Sequence, residues 1–283
     1  MVSGGSRVVV GGAAVLPCAV APVRREPHHR AELVSQWVLG ESIAIEALEG
    51  TWLRGRGPDG YTGWTPAAPF RNAVFSASEW EEAAKLRSIG TSLLGTSGLE
   101  RLPWGARLWP GAAGESVVLP DGRAVTPTEP DRVVTAAGAA RRGEDPLPTA
   151  PDAAVERVTR LATQWVGVTY LWGGRTELGV DCSGLVQAVY ATVGVKLPRD
   201  SHQQYEADPD LGSDGGAPEP GDLVFFAPEG AAITHVAMSL GGSRIIHCAS
   251  TNGRVAEDDL EANDPLAGLL SRSIVGLTRP AER

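Results

Sequence analysis

Three residues have the types and spacing for acyl-transfer chemistry: Cys182, His235 and His247. Cys182 stands in the run Asp181-Cys182-Ser183-Gly184. Behind it Leu185, Val186, Val189, Tyr190 and Val193 follow the i, i+3, i+4, i+7 rule, and Gly194 can end the segment. The spacing predicts a helix with Cys182 in its first turn. A helix N-terminus carries partial positive charge and free N–H groups, which favour a thiolate over a thiol. On this helix alone, Cys182 could equally be a small buried hydrophobe, the common fate of a free cysteine.

His235 opens the apolar run His-Val-Ala-Met-Ser-Leu, and His247 lies in Arg-Ile-Ile-His-Cys-Ala, with Gly241-Gly242-Ser243 between them as a hairpin loop. A three-residue loop sets Ala237 opposite His247 and His235 opposite Ala249. Side chains alternate with period two, so both imidazoles then share one sheet face as diagonal neighbours, whereas a two-residue loop would part them. Cys248 turns to the other face as packing. One imidazole can take the thiol proton while a second group orients it. The rival is a zinc site made of Cys182, His235, His247 and a nearby carboxylate. The chain has neither H-E-x-x-H nor paired C-x-x-C, so no metal and no cofactor is expected.

These residues need elements to position them. Val155, Val158, Ala162, Trp165 and Val166 recur at helical spacing, so a C-terminal domain at 152–283 opens with an amphipathic helix. Ahead of it, 139–151 is a polar, proline-rich linker. Residues 13–75 read as a small β unit, with strands at Ala19–Val23, Leu33–Val38, Ser42–Ala47, Thr51–Gly55 and Thr62–Thr65. Strands at this spacing suggest a small barrel, and Pro58-Asp59-Gly60 is a turn. Residues 76–138 begin with a short helix, capped by Ser78 and Glu81, and continue as a second β-rich stretch. The turn Pro120-Asp121-Gly122-Arg123 in that stretch echoes the first unit.

Composition narrows the function classes. The 283 residues, 42% hydrophobic and 21% charged, suit two or three globular units. A formal net charge of -9 with no Lys/Arg cluster argues against nucleic acid as a partner. No apolar run reaches the roughly 18 residues of a membrane span. Arg7 followed by Val8–Val20 has the make-up of a crude signal peptide, but Gly11, Gly12 and Pro17 interrupt it and Ala19–Val23 reads as a strand. Three cysteines, Cys18, Cys182 and Cys248, fit one working thiol in a reducing compartment better than a disulfide framework. A cytoplasmic monomer is the expectation, with a secreted or wall-associated protein the alternative.

Several runs, taken in order, resemble the NlpC/p60 family of cysteine peptidases, which cleave bacterial cell-wall peptides. They are Tyr170-Leu-Trp-Gly-Gly, Gly179-Val-Asp-Cys-Ser-Gly-Leu-Val, Leu197-Pro-Arg-Asp-Ser, Pro220-Gly-Asp-Leu-Val-Phe-Phe, Thr234-His-Val-Ala and Ile246-His. The resemblance covers roughly 152–275. It implies an α+β, papain-like domain, a helix on an antiparallel sheet, with Cys182 the nucleophile, His235 the base and His247 the orienting third member. Val34-Ser-Gln-Trp-Val-Leu-Gly-Glu41 and Asp59-Gly-Tyr-Thr-Gly-Trp64 resemble the bacterial SH3-like modules of one branch. In that branch two such barrels precede a γ-D-glutamyl-L-diamino acid endopeptidase acting on short muropeptides with a free N-terminal L-alanine.

Carried across, the resemblance implies that Tyr170 helps hold the oxyanion. Glu41, Tyr61, Trp172, Asp181, Ser183 and Ser201 would contact the substrate, with Glu41 or Asp181 meeting its ammonium. Each also has a structural reading: Tyr61 and Trp64 as barrel packing, Asp181 as a helix cap, Ser201 with Gln204 as a capping box. Whether the diamino acid is lysine or diaminopimelate is not written in these residues.

Overall fold

The computed structural model describes residues 8–93, 101–112, 115–135, 151–212, 217–227 and 231–280. The expected linker lies outside these, apart from Pro151. The chain divides into two compact units, Met1–Pro146 and Leu147–Arg283.

In the first unit, six strands form one antiparallel sheet. They are β1 (Ala13–Val15), β2 (Val20–Arg24), β3 (Leu33–Val38), β4 (Ser42–Glu49), β5 (Trp52–Arg56) and β6 (Thr62–Pro66), in the order β1-β4-β5-β6-β2-β3. The five expected strands are present within two residues at each end, and the turn before β6 works as read. Gly60 takes a positive φ, and Asp59 accepts a hydrogen bond from the Tyr61 N–H at 3.0 Å. β1 is an addition. Its Ala14 and Val15, with Leu16, are buried core, so part of the apolar stretch 8–20 forms an edge strand of this sheet.

The helix α1 (Ala77–Ala83) is capped two residues earlier than Ser78 and Glu81 would place it. The Ser76 hydroxyl accepts from the Glu79 N–H, and the Glu79 carboxylate accepts from the Ser76 N–H. Starting there turns Trp80 inward, where its indole donates to the Gly40 carbonyl at 2.9 Å.

Short strands follow: β7 (Leu86–Ser88), β8 (Thr91–Ser92), β9 (Arg101–Leu102), β10 (Arg107–Pro110), β11 (Val117–Val118), β12 (Ala124–Val125) and β13 (Val133–Thr135). Five of them form a sheet in the order β12-β11-β10-β7-β13, and β8 pairs with β9. The two β regions are not independent, because Val38 and Leu39 of the first share a core with Leu86, Leu102, Leu108 and Val117 of the second.

The second unit opens with α2 (Pro151–Thr163), which buries Val158, Leu161 and Ala162. Trp165, just past its end, is also buried. Val166 is beyond the helix and 51% exposed, so it is not part of the apolar face expected of it. Then come the pair β14 (Arg175–Thr176) and β15 (Gly179–Val180), the helix α3 (Cys182–Ala191) and the short α4 (Ser201–Ala207). The remaining elements are β16 (Leu223–Phe226), β17 (His235–Gly241), β18 (Arg244–Ala249), β19 (Arg254–Asp259), α5 (Pro265–Arg272) and β20 (Ile274–Thr278). Their strands build an antiparallel sheet in the order β19-β18-β17-β16-β20, and α3 packs on β17 and β18. This is the expected helix on an antiparallel sheet.

Candidate active site

Asp181 anchors the start of α3. Its Oδ1 accepts from the Gly184 N–H at 2.7 Å, which caps the helix, and its Oδ2 accepts from the Gly173 N–H at 2.8 Å. Arg199 grips the same carboxylate with two nitrogens, at 3.0 and 2.6 Å, and also donates to the Ser183 hydroxyl at 2.8 Å. The guanidinium is 1% exposed, so it has given up its water. Although burial favours losing its charge, Asp181 more than offsets this and raises its pKa. A bidentate pair suits such a buried position. The Asp181 charge is therefore already balanced within the unit.

The glycines of the two motifs have a packing reason. A Cβ on Gly184 would sit 2.1 Å from the Gly174 carbonyl oxygen, and one on Gly174 would sit 2.3 Å from that of Gly179. Backbone meets backbone there, and α3 starts flush against the Gly173-Gly174 loop. Gln204 of α4 adds a further tie, donating to the Ser183 and Pro198 carbonyls. Its helix is capped by Asp200, whose N–H donates to Gln203, so the expected box of Ser201 with Gln204 lies one residue off. Ser201 is the buried first residue of that helix.

Part of Cys182 remains accessible, yet protein encloses it closely enough that burial pushes the thiol up to about 12. The neighbouring Asp181 charge acts in the same direction. Hydrogen bonds from the backbone of Val236 and Ser183 pull the other way, as does Arg199. Burial outweighs the helix-start effect, so the resting group is a thiol. Val236 follows His235 directly, which brings the thiol to the head of β17.

His235 and His247 share a face. His235 Nε2 lies 2.7 Å from His247 Nδ1. Their register comes about differently from the three-residue loop expected. Gly241 pairs with Arg244 around a two-residue turn, and a bulge between Ser239 and Gly241 then shifts the pairing to Met238 with Ile246. The bulge inserts one residue, which restores the parity a two-residue turn alone would have broken. Cys248 faces the other way and donates to the Val180 carbonyl just ahead of α3.

With Nε2 committed to His247, Nδ1 of His235 is the nitrogen available to a thiol. Burial, and secondarily His247, push the His235 imidazole down to about 3, so it rests as a neutral base. Tyr170 is pushed up to about 12, mainly by burial, so its hydroxyl stays a donor.

Two partners of this site were not legible in advance. Arg199 sits in a quoted motif, but only contacts distant in sequence reveal its role. Asp258 Oδ2 lies 2.7 Å from His247 Nε2 and accepts from the Asn252 amide at 2.9 Å. A register for the hairpin of β18 and β19 would have flagged it, since Ala256 is opposite His247 and Asp258 is two residues further on the same face.

Of the remaining residues, Trp172 is 57% exposed on the loop before β14. Glu41 and Tyr61 belong to the first unit, where the buried Glu41 carboxylate accepts from the Val38 N–H at 2.9 Å. Among the described residues, no group of three or more His, Cys, Asp or Glu is disposed to hold a metal, and no helix is long and apolar enough to cross a membrane.

Two outcomes are expected. Replacing Arg199 with Ala leaves the Asp181 carboxylate buried and unpaired, and should cost about 3–5 kcal/mol in denaturant unfolding. His235 binds a proton far more weakly folded than unfolded, so the unfolded chain takes up more protons below its ordinary value. Its contribution should therefore raise the stability of the second unit as pH climbs from about 3 to 6.5 and change little above, as read by unfolding across that range.

Residues 167–267 match the NlpC/P60 family, and residues 23–68 match the bacterial dipeptidyl-peptidase Sh3 domain. A gamma-D-glutamyl-L-lysine dipeptidyl-peptidase of Bacillus cereus is 26% identical over 235 residues, 76% of this chain and 67% of that protein. The peptidoglycan endopeptidase RipB of Mycobacterium tuberculosis is 35% identical over 135 residues, 43% of this chain and 54% of its own. Among solved structures, an NlpC/P60 family protein from Bacillus cereus superposes with a TM-score of 0.76 at 18% identity, over 95% of this chain and 99% of the other, a likeness of fold. The chain thus joins an NlpC/P60-family domain, holding Cys182, His235 and His247, to a bacterial dipeptidyl-peptidase Sh3 domain.

Proposed function

We propose that the protein is a cysteine endopeptidase that hydrolyses the γ-D-glutamyl–diamino acid bond of short muropeptides with a free N-terminal L-alanine. The observation that carries this is Cys182 at an anchored helix start, bonded to the backbone beside a histidine whose far nitrogen is held by a second histidine. The name of the Bacillus cereus relative and the match of residues 23–68 support this choice of bond.

His235 Nδ1 takes the Cys182 proton as the sulfur bonds to the γ-carbonyl carbon. The carbonyl π electrons move to oxygen, which backbone N–H groups at the helix start and the Tyr170 hydroxyl stabilise. Collapse breaks the carbon–nitrogen bond, and the proton on His235 leaves with the diamino acid amine. Water then attacks the thioester with His235 as base, freeing L-Ala-γ-D-Glu and restoring the thiol. Trp172, Ser183 and Ser201 are assigned to substrate positioning, Trp172 through its exposed ring.

The test is a panel of L-Ala-γ-D-Glu-diaminopimelate, its lysine counterpart and their N-acetylated forms. Free-amine substrates should be cleaved and acetylated ones spared. Cys182→Ala should lower kcat at least about a thousandfold, and chelators should have no effect. Cleavage that survives alkylation of Cys182, or that ignores acetylation, would contradict the proposal. Release of fragments from intact sacculi at a comparable rate would favour a wall hydrolase instead.

A further inference from the structure

We infer that Asp258 sets the tautomers of both histidines and so makes His235 Nδ1 the base, an inference that rests on Cys182 being the nucleophile. The chain of contacts is Asn252 Nδ2, Asp258 Oδ2, His247 Nε2, and across that ring His247 Nδ1 and His235 Nε2, with each of the three hydrogen bonds between 2.7 and 2.9 Å. Its logic follows from what each group can donate. A carboxylate only accepts, so His247 Nε2 carries the proton between them. A neutral His247 then has a bare Nδ1, which must accept, and His235 Nε2 must supply that hydrogen. What remains on His235 is a lone pair on Nδ1, ready for the thiol proton.

Without Asp258 the same histidine pair fits equally well in reverse. His247 Nδ1–H would donate to His235 Nε2, and the His235 proton would sit on Nδ1, where it blocks the base. The heavy-atom distance between the histidines would be unchanged. His247 is 0% exposed, so no water reaches its ring to choose between the two states. The only anion in hydrogen-bond contact with the pair is Asp258, among the described residues. The Asn252 amide, a donor, holds the carboxylate as an acceptor. Asp258 is thus a positioning residue that acts through two imidazoles.

The experiment compares wild type, Asp258→Ala and Asp258→Glu by long-range proton–nitrogen NMR of the histidine rings, by steady-state kinetics, and by the rate at which iodoacetamide labels Cys182, read peptide by peptide. In wild type, His235 should show Nε2 protonated and Nδ1 bare. In Asp258→Ala no acceptor holds the proton on His247 Nε2, so the wild-type pattern should be lost. The kcat should then fall a hundredfold or more, by analogy with the aspartate-to-asparagine change in serine-protease triads. KM should stay within about twofold, Cys182 labelling should slow, and Asp258→Glu should regain most of the loss. Wild-type His235 protonated on Nδ1 would overturn the inference, and that measurement needs no variant to fold. Asp258→Ala with wild-type tautomers or wild-type kcat would overturn it as well. Tautomers and labelling as stated, with no muropeptide cleaved, would uphold it while contradicting the proposed substrate.

Discussion

The second unit is organised around one buried carboxylate. Asp181 must satisfy its oxygens without water, and it does so by drawing together three segments. These are the first turn of α3 through Gly184 and Ser183, the glycine loop through Gly173, and the segment before α4 through Arg199. Because a lone buried charge is so costly, these partners cannot drift apart independently. Cys182 is the next residue in the chain, so fixing Asp181 fixes the position of its thiol. The glycine contacts act on the same joint, since any side chain at Gly174 or Gly184 would push the helix off the loop.

On the other side of the thiol, position comes from strand pairing and not from charge. β17 and β18 carry one histidine each, and a bulge sets them on one face. The electrostatics then oppose early ionisation. Burial raises Cys182 and lowers His235, so each charge is unfavourable until the other forms beside it. In the proposed reaction the thiol rests un-ionised and the ion pair forms as substrate is attacked. Proton transfer then depends on His235 holding its lone pair on the correct nitrogen, which is why the line from His247 to Asp258 matters.

Much of this was legible in the sequence because it is local. The helix behind Cys182 follows from apolar spacing, the strands from alternation, and the turn at Asp59-Gly60 from backbone chemistry. Other features depended on contacts that periodicity does not encode. Ser76 and Ser78 are both competent caps, and only the inward packing of Trp80 selects the first. The shared face of the histidines was anticipated, but its cause was not, since a bulge leaves no distinct sign in Ser239-Leu240-Gly241. Arg199 and Asp258 were missed because each acts on a partner on another element, 18 and 11 residues away in the chain.

The most direct test of the central claim is to look for the covalent intermediate. Rapid acid quenching of the enzyme with L-Ala-γ-D-Glu-diamino acid, followed by mass spectrometry of its peptides, should place an L-Ala-γ-D-Glu acyl group on Cys182 within the first turnover. That adduct should disappear as dipeptide forms. Product forming with no acyl group on Cys182, or with the group on Cys18 or Cys248, would contradict the account.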